Sequence, residues 1–160
     1  MAGESVVRNP GEGTAFWMLG GLYEIKATGS DTEGEMTVVE MTIPAGSGPP
    51  PHTHPGTESV YVLEGTLRYH IAGETFEGNP GSFFHIPAGV FENFEPVTDL
   101  RLLVVYTPGG VEQFFAEAGE PAERREVPPP MTEPPDLERL MAISEKYGVE
   151  IRPPEGAPAA

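Results

Sequence analysis

The chain has 160 residues, no cysteine and a formal net charge of -16, from 9 basic and 25 acidic residues. This length fits one domain with a sizeable core, and the lack of cysteine excludes disulfides, zinc–cysteine clusters and thiol catalysis. The acidic balance repels nucleic-acid phosphates and anionic membrane surfaces, so we expect neither as a partner. The N-terminal residues do not read as a signal peptide, and no apolar run approaches the roughly 18 to 20 residues that span a bilayer, so a cytoplasmic protein is expected.

Glycine and proline occur frequently along most of the chain. The 20 Gly and 19 Pro lie between short apolar runs, a pattern typical of an all-β domain with many tight turns. Several of the runs alternate between apolar and polar residues, as half-buried strands do. In chain order, strands are predicted over 16–27 (bent, or two strands split at Gly20 and Gly21), 36–43, 58–63, 67–71, near Phe76, and over 82–86, 90–94 and 100–106.

The pattern changes after residue 110. A short helix is predicted over Val111–Ala118 and ends at Gly119, and a second follows over Asp136–Tyr147 with Asp136 as its N-cap. Between the helices, 120–135 is rich in proline and charge and is expected to be a surface linker. We therefore divide the chain into an N-terminal arm (1–14), a β-barrel (15–110), and a C-terminal helical extension with a frayed tail (111–160), which we expect to pack on the outside of the barrel.

The residues that indicate chemistry are His52, His54 and Glu58. Spacings of two and four residues in extended chain place all three side chains on one face. Two imidazoles and a carboxylate suit Fe, Mn, Co, Ni or Zn as a divalent ion and leave coordination positions open. The sequence therefore predicts a transition-metal site that a small molecule can reach.

The frame around these residues resembles the first motif of the cupin superfamily. It reads G-x5-H-x-H-x3-E-x6-G from Gly46 to Gly65. The family's second motif, G-x5-P-x-G-x2-H-x3-N, is matched at Gly81, Pro87 and Gly89. More loosely, the flanking segments WMLGGLYEIKATGSDT, YTPGGVEQFF and YGVEIRPP are similar to small bacterial single-domain cupins described as quercetin-dioxygenase-like. The resemblance implies an antiparallel β-barrel of the jelly-roll type, a double-stranded β-helix, with two short C-terminal helices.

The second motif departs from the family at two positions. The usual histidine is Glu92 and the usual asparagine is Pro96. Three alternatives are open: Glu92 replaces the histidine as a fourth ligand, three residues hold the metal weakly, or the site has lost its metal. If Glu58 and Glu92 both point into an apolar interior, either a cation must lie between them or one carboxyl must be protonated.

Five further residues are candidates for the cavity wall. Val60 and Val62 share the parity of Glu58, and Phe94 shares that of Glu92, so all three can face the interior. His85 is either a substitute ligand or a histidine that hydrogen-bonds a neighbour in the wall. His70 points either toward the cavity or toward a partner subunit.

The resemblance implies a metal-dependent, dioxygenase-like oxidoreductase that acts on a small phenolic or enol-type molecule, with Glu58 as the catalytic base. Two alternatives remain at this stage. One is a non-catalytic cupin with a degenerate metal site that binds a small molecule, and the other is a metal-assisted isomerase. The family also implies a homodimer that pairs through barrel strands and the N-terminal segment.

Overall fold

The computed structural model describes residues 3–152, which form ten strands and two helices. The segment 16–27 forms two strands, so the predicted alternative of two short strands is confirmed. The strands are β1 (Ala15–Met18), β2 (Gly21–Ala27), β3 (Thr37–Ile43), β4 (Thr57–Glu64), β5 (Leu67–Ile71), β6 (Glu74–Gly78), β7 (Phe83–Ile86), β8 (Glu92–Pro96), β9 (Leu100–Thr107) and β10 (Glu120–Pro121), and the helices are α1 (Glu112–Ala118) and α2 (Leu137–Lys146).

The strands form two antiparallel sheets with the core between them. The larger sheet has the order β10-β1-β2-β3-β9-β4-β7, and the smaller has the order β6-β5-β8. The jelly-roll fold is confirmed, but the sheets do not close into one continuous barrel. The chain leaves the larger sheet after β7, where Pro87 has no N–H to donate to the ladder, and it enters the smaller sheet at β8.

Side-chain alternation agrees with the sequence pattern. In β3 the buried residues are Thr37, Val39, Met41 and Ile43, which is the face that the sequence predicts. Strand β9 buries every second residue from Leu100. These inward-facing residues supply most of the apolar core. Burying one such side chain stabilises the folded state by about 1.5 to 3 kcal/mol.

Two strands differ from the prediction. Strand β8 begins at Glu92 instead of residue 90, because the Val90 N–H donates to the Pro87 carbonyl in a turn. Strand β10 lies inside the predicted linker and pairs with β1. Its two residues, Glu120 and Pro121, carry no strand signal in the sequence.

The helices close one end of the β-sandwich. Phe114 and Phe115 of α1 and Leu140 of α2 belong to the same buried cluster as the strand residues. The expectation that the extension packs on the outside is therefore wrong, because these apolar side chains pack into the core, where the Phe115 ring contacts the rings of Tyr23 and Tyr106 of the larger sheet. Asp136 caps α2 as predicted, accepting the Arg139 N–H at 3.0 Å. Within residues 3–152, neither helix is long and apolar enough to cross a membrane. The predicted fraying of the tail from residue 153 lies outside the described residues.

Candidate metal centre

Three short segments bring the predicted ligands together. His52 and His54 follow the proline-rich loop, while Glu58 is the second residue of β4 and Glu92 is the first residue of β8. The His52 N–H donates to the Glu92 carbonyl, and the Glu92 N–H donates to the His52 carbonyl, both at 2.9 Å. This backbone pair joins the two sequence motifs across the interior.

The four side chains converge on one point. One ligand atom from each of His52, His54, Glu58 and Glu92 lies within 4.8 Å of all the others. The two Nε2 atoms are 3.1 Å apart. His52 Nε2 lies 3.3 Å from Glu92 Oε1, and His54 Nε2 lies 3.2 Å from Glu58 Oε2. Adjacent ligands about 2.1 Å from one ion are separated by roughly 3.0 to 3.4 Å, so the spacing fits shared coordination.

The loop before the site orients the first histidine. His52 Nδ1 lies 2.9 Å from the Pro50 carbonyl oxygen. A carbonyl only accepts hydrogen bonds, so Nδ1 carries the proton and Nε2 presents its lone pair toward the other three side chains. A carbonyl partner of this kind fixes the ring of a metal-ligating histidine.

Burial makes the carboxylates costly without a cation. Glu58 is 3% exposed and Glu92 is 2% exposed. Within residues 3–152, their ion-pair contacts are with His52 and His54 alone. Glu58 Oε2 is buried and has no hydrogen-bond partner, which costs about 1 to 3 kcal/mol if nothing binds it. A divalent ion satisfies this oxygen and balances both charges, so the residues present fit such an ion.

The site also shifts the titration of its members. Burial, together with the charge of Glu58, raises the pKa of Glu92 to about 8. Burial and the neighbouring His52 lower the pKa of His54 to about 3. Burial opposes protonation of His52 as well, but its contact with Glu92 outweighs this and raises the pKa of His52. Without a metal, the site therefore retains a proton around His52 and Glu92 near neutral pH.

Two buried tyrosines support the site, and neither was among the predicted site residues. Tyr69 donates its hydroxyl to Glu92 Oε2 at 3.1 Å. The Tyr106 ring packs against His54 with a centroid separation of 5.1 Å. Burial raises the pKa of both hydroxyls well above the ordinary value, so they remain protonated donors. Their inward parity on β5 and β9 was visible in the sequence, but the pairing of Tyr69 with Glu92 depends on the register of β5 and β8.

The remaining predicted cavity residues separate into two groups. Phe94 lines the cavity, whereas Val60 and Val62 are core residues at most 1% exposed that do not line it. His70 and His85 do not line the cavity, so the cavity alternative is wrong for both, whereas the other alternative for His85, a wall histidine that hydrogen-bonds a neighbour, agrees with the structure. His70 contacts Thr75 and Glu95 on the outer face of the small sheet. His85 lies 3.0 Å from the Ser59 hydroxyl on the outer face of the large sheet, because odd positions of β7 point outward.

A small, partly open space adjoins the four side chains. Its volume is about 50 Å³, and its wall is mostly apolar apart from the four candidate ligands. Residues from both sheets and from both helices contribute to it. The apolar wall consists of Met18, Leu19, Tyr23, Met41, Pro49, Pro50, Phe94, Tyr106, Phe114, Phe115, Leu140, Val149 and Ile151.

Sequence comparison places the fold and site within one family. Residues 39–106 match the family model described as "Cupin domain". The chain also covers 73% of an uncharacterised protein of Streptomyces coelicolor, at 32% identity over 77 residues that make up 48% of the chain. The protein belongs to the cupin family.

Two further likenesses refine the placement. Over 119 residues the chain is 33% identical to quercetin 2,3-dioxygenase of Bacillus subtilis; this match covers 73% of the chain but only 35% of the dioxygenase. An RmlC-like cupin of Shewanella frigidimarina superposes with a TM-score of 0.60 at 20% identity, over 68% of the chain and 96% of that structure. The chain thus corresponds to about a third of the dioxygenase and to nearly the whole of the small cupin.

Metal content separates the clustered residues from the outlying histidines. We expect Glu92→Ala and His52→Ala to lower bound transition metal at least about tenfold, because each removes a converging ligand atom. His70→Ala and His85→Ala are the matched controls and should retain the wild-type metal content. Elemental analysis of untagged, metal-supplemented protein measures the metal content of the four variants and of the wild type. Full metal retention in Glu92→Ala would contradict a four-residue site.

The metal-free protein should lose stability as the pH rises from about 6.5 to 8. In this range the unfolded chain has lost the proton from Glu92 and is losing the one from His52, whereas the folded chain retains them because both pKa values are raised. His54 opposes this slope near pH 6.5, because the unfolded imidazole is still partly protonated there whereas the lowered pKa keeps the folded one neutral, and the opposition fades by about pH 7.5. Denaturant unfolding at several pH values measures the slope.

Glu92→Gln should reduce this slope, because the amide does not titrate. Glu95→Gln changes an exposed carboxylate on the same strand and should leave the slope unchanged. A wild-type slope of the opposite sign between pH 6.5 and 8 would contradict the assignment of the proton to the site.

Proposed function

We propose that the protein is a metal-dependent cupin with dioxygenase-like activity on a small phenolic or enol-type molecule. The observation that carries this proposal is the convergence of His52, His54, Glu58 and Glu92 on one point beside a small, mostly apolar space. A divalent ion bound there supplies Lewis-acid polarisation of a substrate oxygen. The rest of the chemistry depends on the protein's own side chains.

Glu58 is the proposed base. Its buried carboxylate lines the space, so the oxygen that does not bind the ion can accept the proton of a phenol or enol hydroxyl that enters. Glu92 is held on its far side by the Tyr69 hydroxyl, which orients the carboxylate without neutralising it. The apolar wall excludes bulk water and strengthens the electrostatic interactions inside.

The relationship to quercetin 2,3-dioxygenase supports the reaction class. That protein is 33% identical over most of this chain. The chain spans only about a third of its length, so the choice of substrate is not carried over with the fold. We propose the class of reaction, oxygen-dependent oxidation of an enol or phenol, and not the flavonol itself.

Oxygen uptake tests the activity. The metal-reconstituted protein should consume oxygen with at least one member of a panel of small enols and phenols. Glu58→Gln should lower kcat by about 100-fold or more, and His70→Ala should leave kcat unchanged. Metal content is measured on the same samples, so that loss of the base is separated from loss of the ion. No oxygen uptake across the panel with stoichiometric metal would contradict the proposal.

Two observations favour an alternative function. The space beside the ligands is only about 50 Å³, and Glu92 stands where the family motif has histidine. A cupin that binds a small molecule without turnover agrees with both features. Saturable binding to the metal-loaded protein with no change in the ligand would identify this function, whereas turnover without oxygen would identify an isomerase.

We also propose a homodimer that pairs through the outer face of the large sheet. The central part of strand β9 is apolar on both faces, because Leu103 and Val105 point outward. Beside them on β4 and β7 lie Tyr61, 44% exposed, and Phe83, 63% exposed, which are cross-strand neighbours. Strands that read as continuous apolar runs are typically covered on both sides, and a second copy is the commonest symmetric cover.

Charged substitutions on this face should give monomers. We expect Phe83→Glu and Tyr61→Glu to halve the molar mass measured by light scattering, because each buries a carboxylate in the proposed interface. Phe76→Glu, which alters an exposed phenylalanine on the small sheet, is the control and should remain dimeric. A monomeric wild-type protein at micromolar concentration would contradict the dimer.

A further inference from the structure

The space beside the candidate metal centre is small for a ligand site. At about 50 Å³, it holds roughly three to five water-sized groups. Sites for drug-sized molecules occupy about 300 to 1,000 Å³, and an engineered apolar cavity that binds benzene has about 150 Å³. A flavonol, or even one aromatic ring, does not fit this space in the described conformation.

The C-terminal third of the chain encloses one side of the space. Phe114 and Phe115 reach it from α1, and Leu140 reaches it from α2. Val149 and Ile151, which follow α2, complete this side. The opposite side is formed by the sheets and the four candidate ligands, so the size of the space is set where these two sides meet.

Hydrogen bonds attach the last described residues to the histidine segment. The Thr53 N–H donates to the Glu150 carbonyl at 2.9 Å, and the Arg152 N–H donates to the Pro51 carbonyl at 2.8 Å. His52 thus lies between Glu92 on one side and Ile151 on the other, bridged to both. The Arg152 guanidinium also lies 3.5 Å from the centroid of the Phe91 ring. These contacts hold Ile151 over the site in register with the ligands.

We propose that Leu140 and Ile151 are specificity-determining residues that limit the part of a ligand lying in this space, beside the four candidate ligands, to about five non-hydrogen atoms. The proposal deepens the proposed function and rests on it for the metal. The two carboxylates balance a divalent ion, so a neutral or singly charged oxygen ligand, such as an α-hydroxyketone or a small enol, is favoured over a dianion. The wall excludes phenols, since even one aromatic ring does not fit the space, so small enols are the favoured substrates of the two types proposed above.

Benzene binding to the metal-free protein tests the size limit independently of any metal. Wild-type protein should show no saturable benzene binding by ligand-observed NMR, and Leu140→Ala should bind it saturably. Ile151→Ala, at a partly exposed position, should show the same gain and serves if Leu140→Ala fails to fold. Met141→Ala truncates an exposed side chain, 39% exposed, on the same helix and should behave as wild type.

Two oxygen-bearing probes test the limit at the metal. In the cobalt-loaded protein, hydroxyacetone with five non-hydrogen atoms should perturb the visible spectrum of the wild type. Catechol, with eight, should bind at least about tenfold more tightly to Leu140→Ala or Ile151→Ala than to wild type. Saturable benzene binding to the wild type, or equal catechol affinity in wild type and both variants, would overturn the proposal. Failure of cobalt to bind would contradict the proposed function. The benzene experiment would then still test the size limit set by Leu140 and Ile151.

Discussion

Two buried carboxylates that face each other across the interior impose the central constraint on this protein. Glu58 and Glu92 are almost completely buried, and their ion-pair contacts within the described residues are with two histidines. Two carboxylates at this distance cannot both be ionised cheaply in an apolar space. Either a proton or a cation must lie between them. Without a metal the proton takes this place, and the pKa of Glu92 is raised for this reason.

The surrounding structure keeps the two carboxylates close together. The Pro50 carbonyl directs the lone pair of His52 toward the carboxylates, and the Tyr69 hydroxyl holds Glu92 from behind. The backbone pair between His52 and Glu92 prevents the two motifs from separating. The helices keep water out by covering the open end of the sandwich. Each of these contacts is reasonable for a site built around a cation, and together they support the proposed function.

Much of the fold could be predicted from the sequence because alternation is a local property. The face of β3 follows directly from a period-two pattern, and Asp136 was recognisable as a cap. The four converging residues could be named because a motif fixes their spacing. Strand β10 could not be predicted, since its residues have no strand propensity and it forms only by pairing with β1.

The positions of His70, His85 and the two helices could not be predicted, because they depend on tertiary structure. His85 shares its parity with Phe83, but parity alone does not say which face is inward, and both side chains point out. The sequence shows that α1 and α2 have apolar faces but not which gap they fill. The size of the space beside the ligands, the feature on which substrate choice depends, arises only when residues more than 90 positions apart meet.

X-ray diffraction from crystals of the metal-loaded protein, measured at the absorption edge of the metal, tests the central claim most directly. The account predicts one anomalous peak within bonding distance of His52 Nε2, His54 Nε2 and one oxygen each of Glu58 and Glu92. A peak bound by the histidines with Glu92 turned away, or no peak at this point in fully supplemented crystals, would contradict the claim that the two carboxylates are buried to hold a cation.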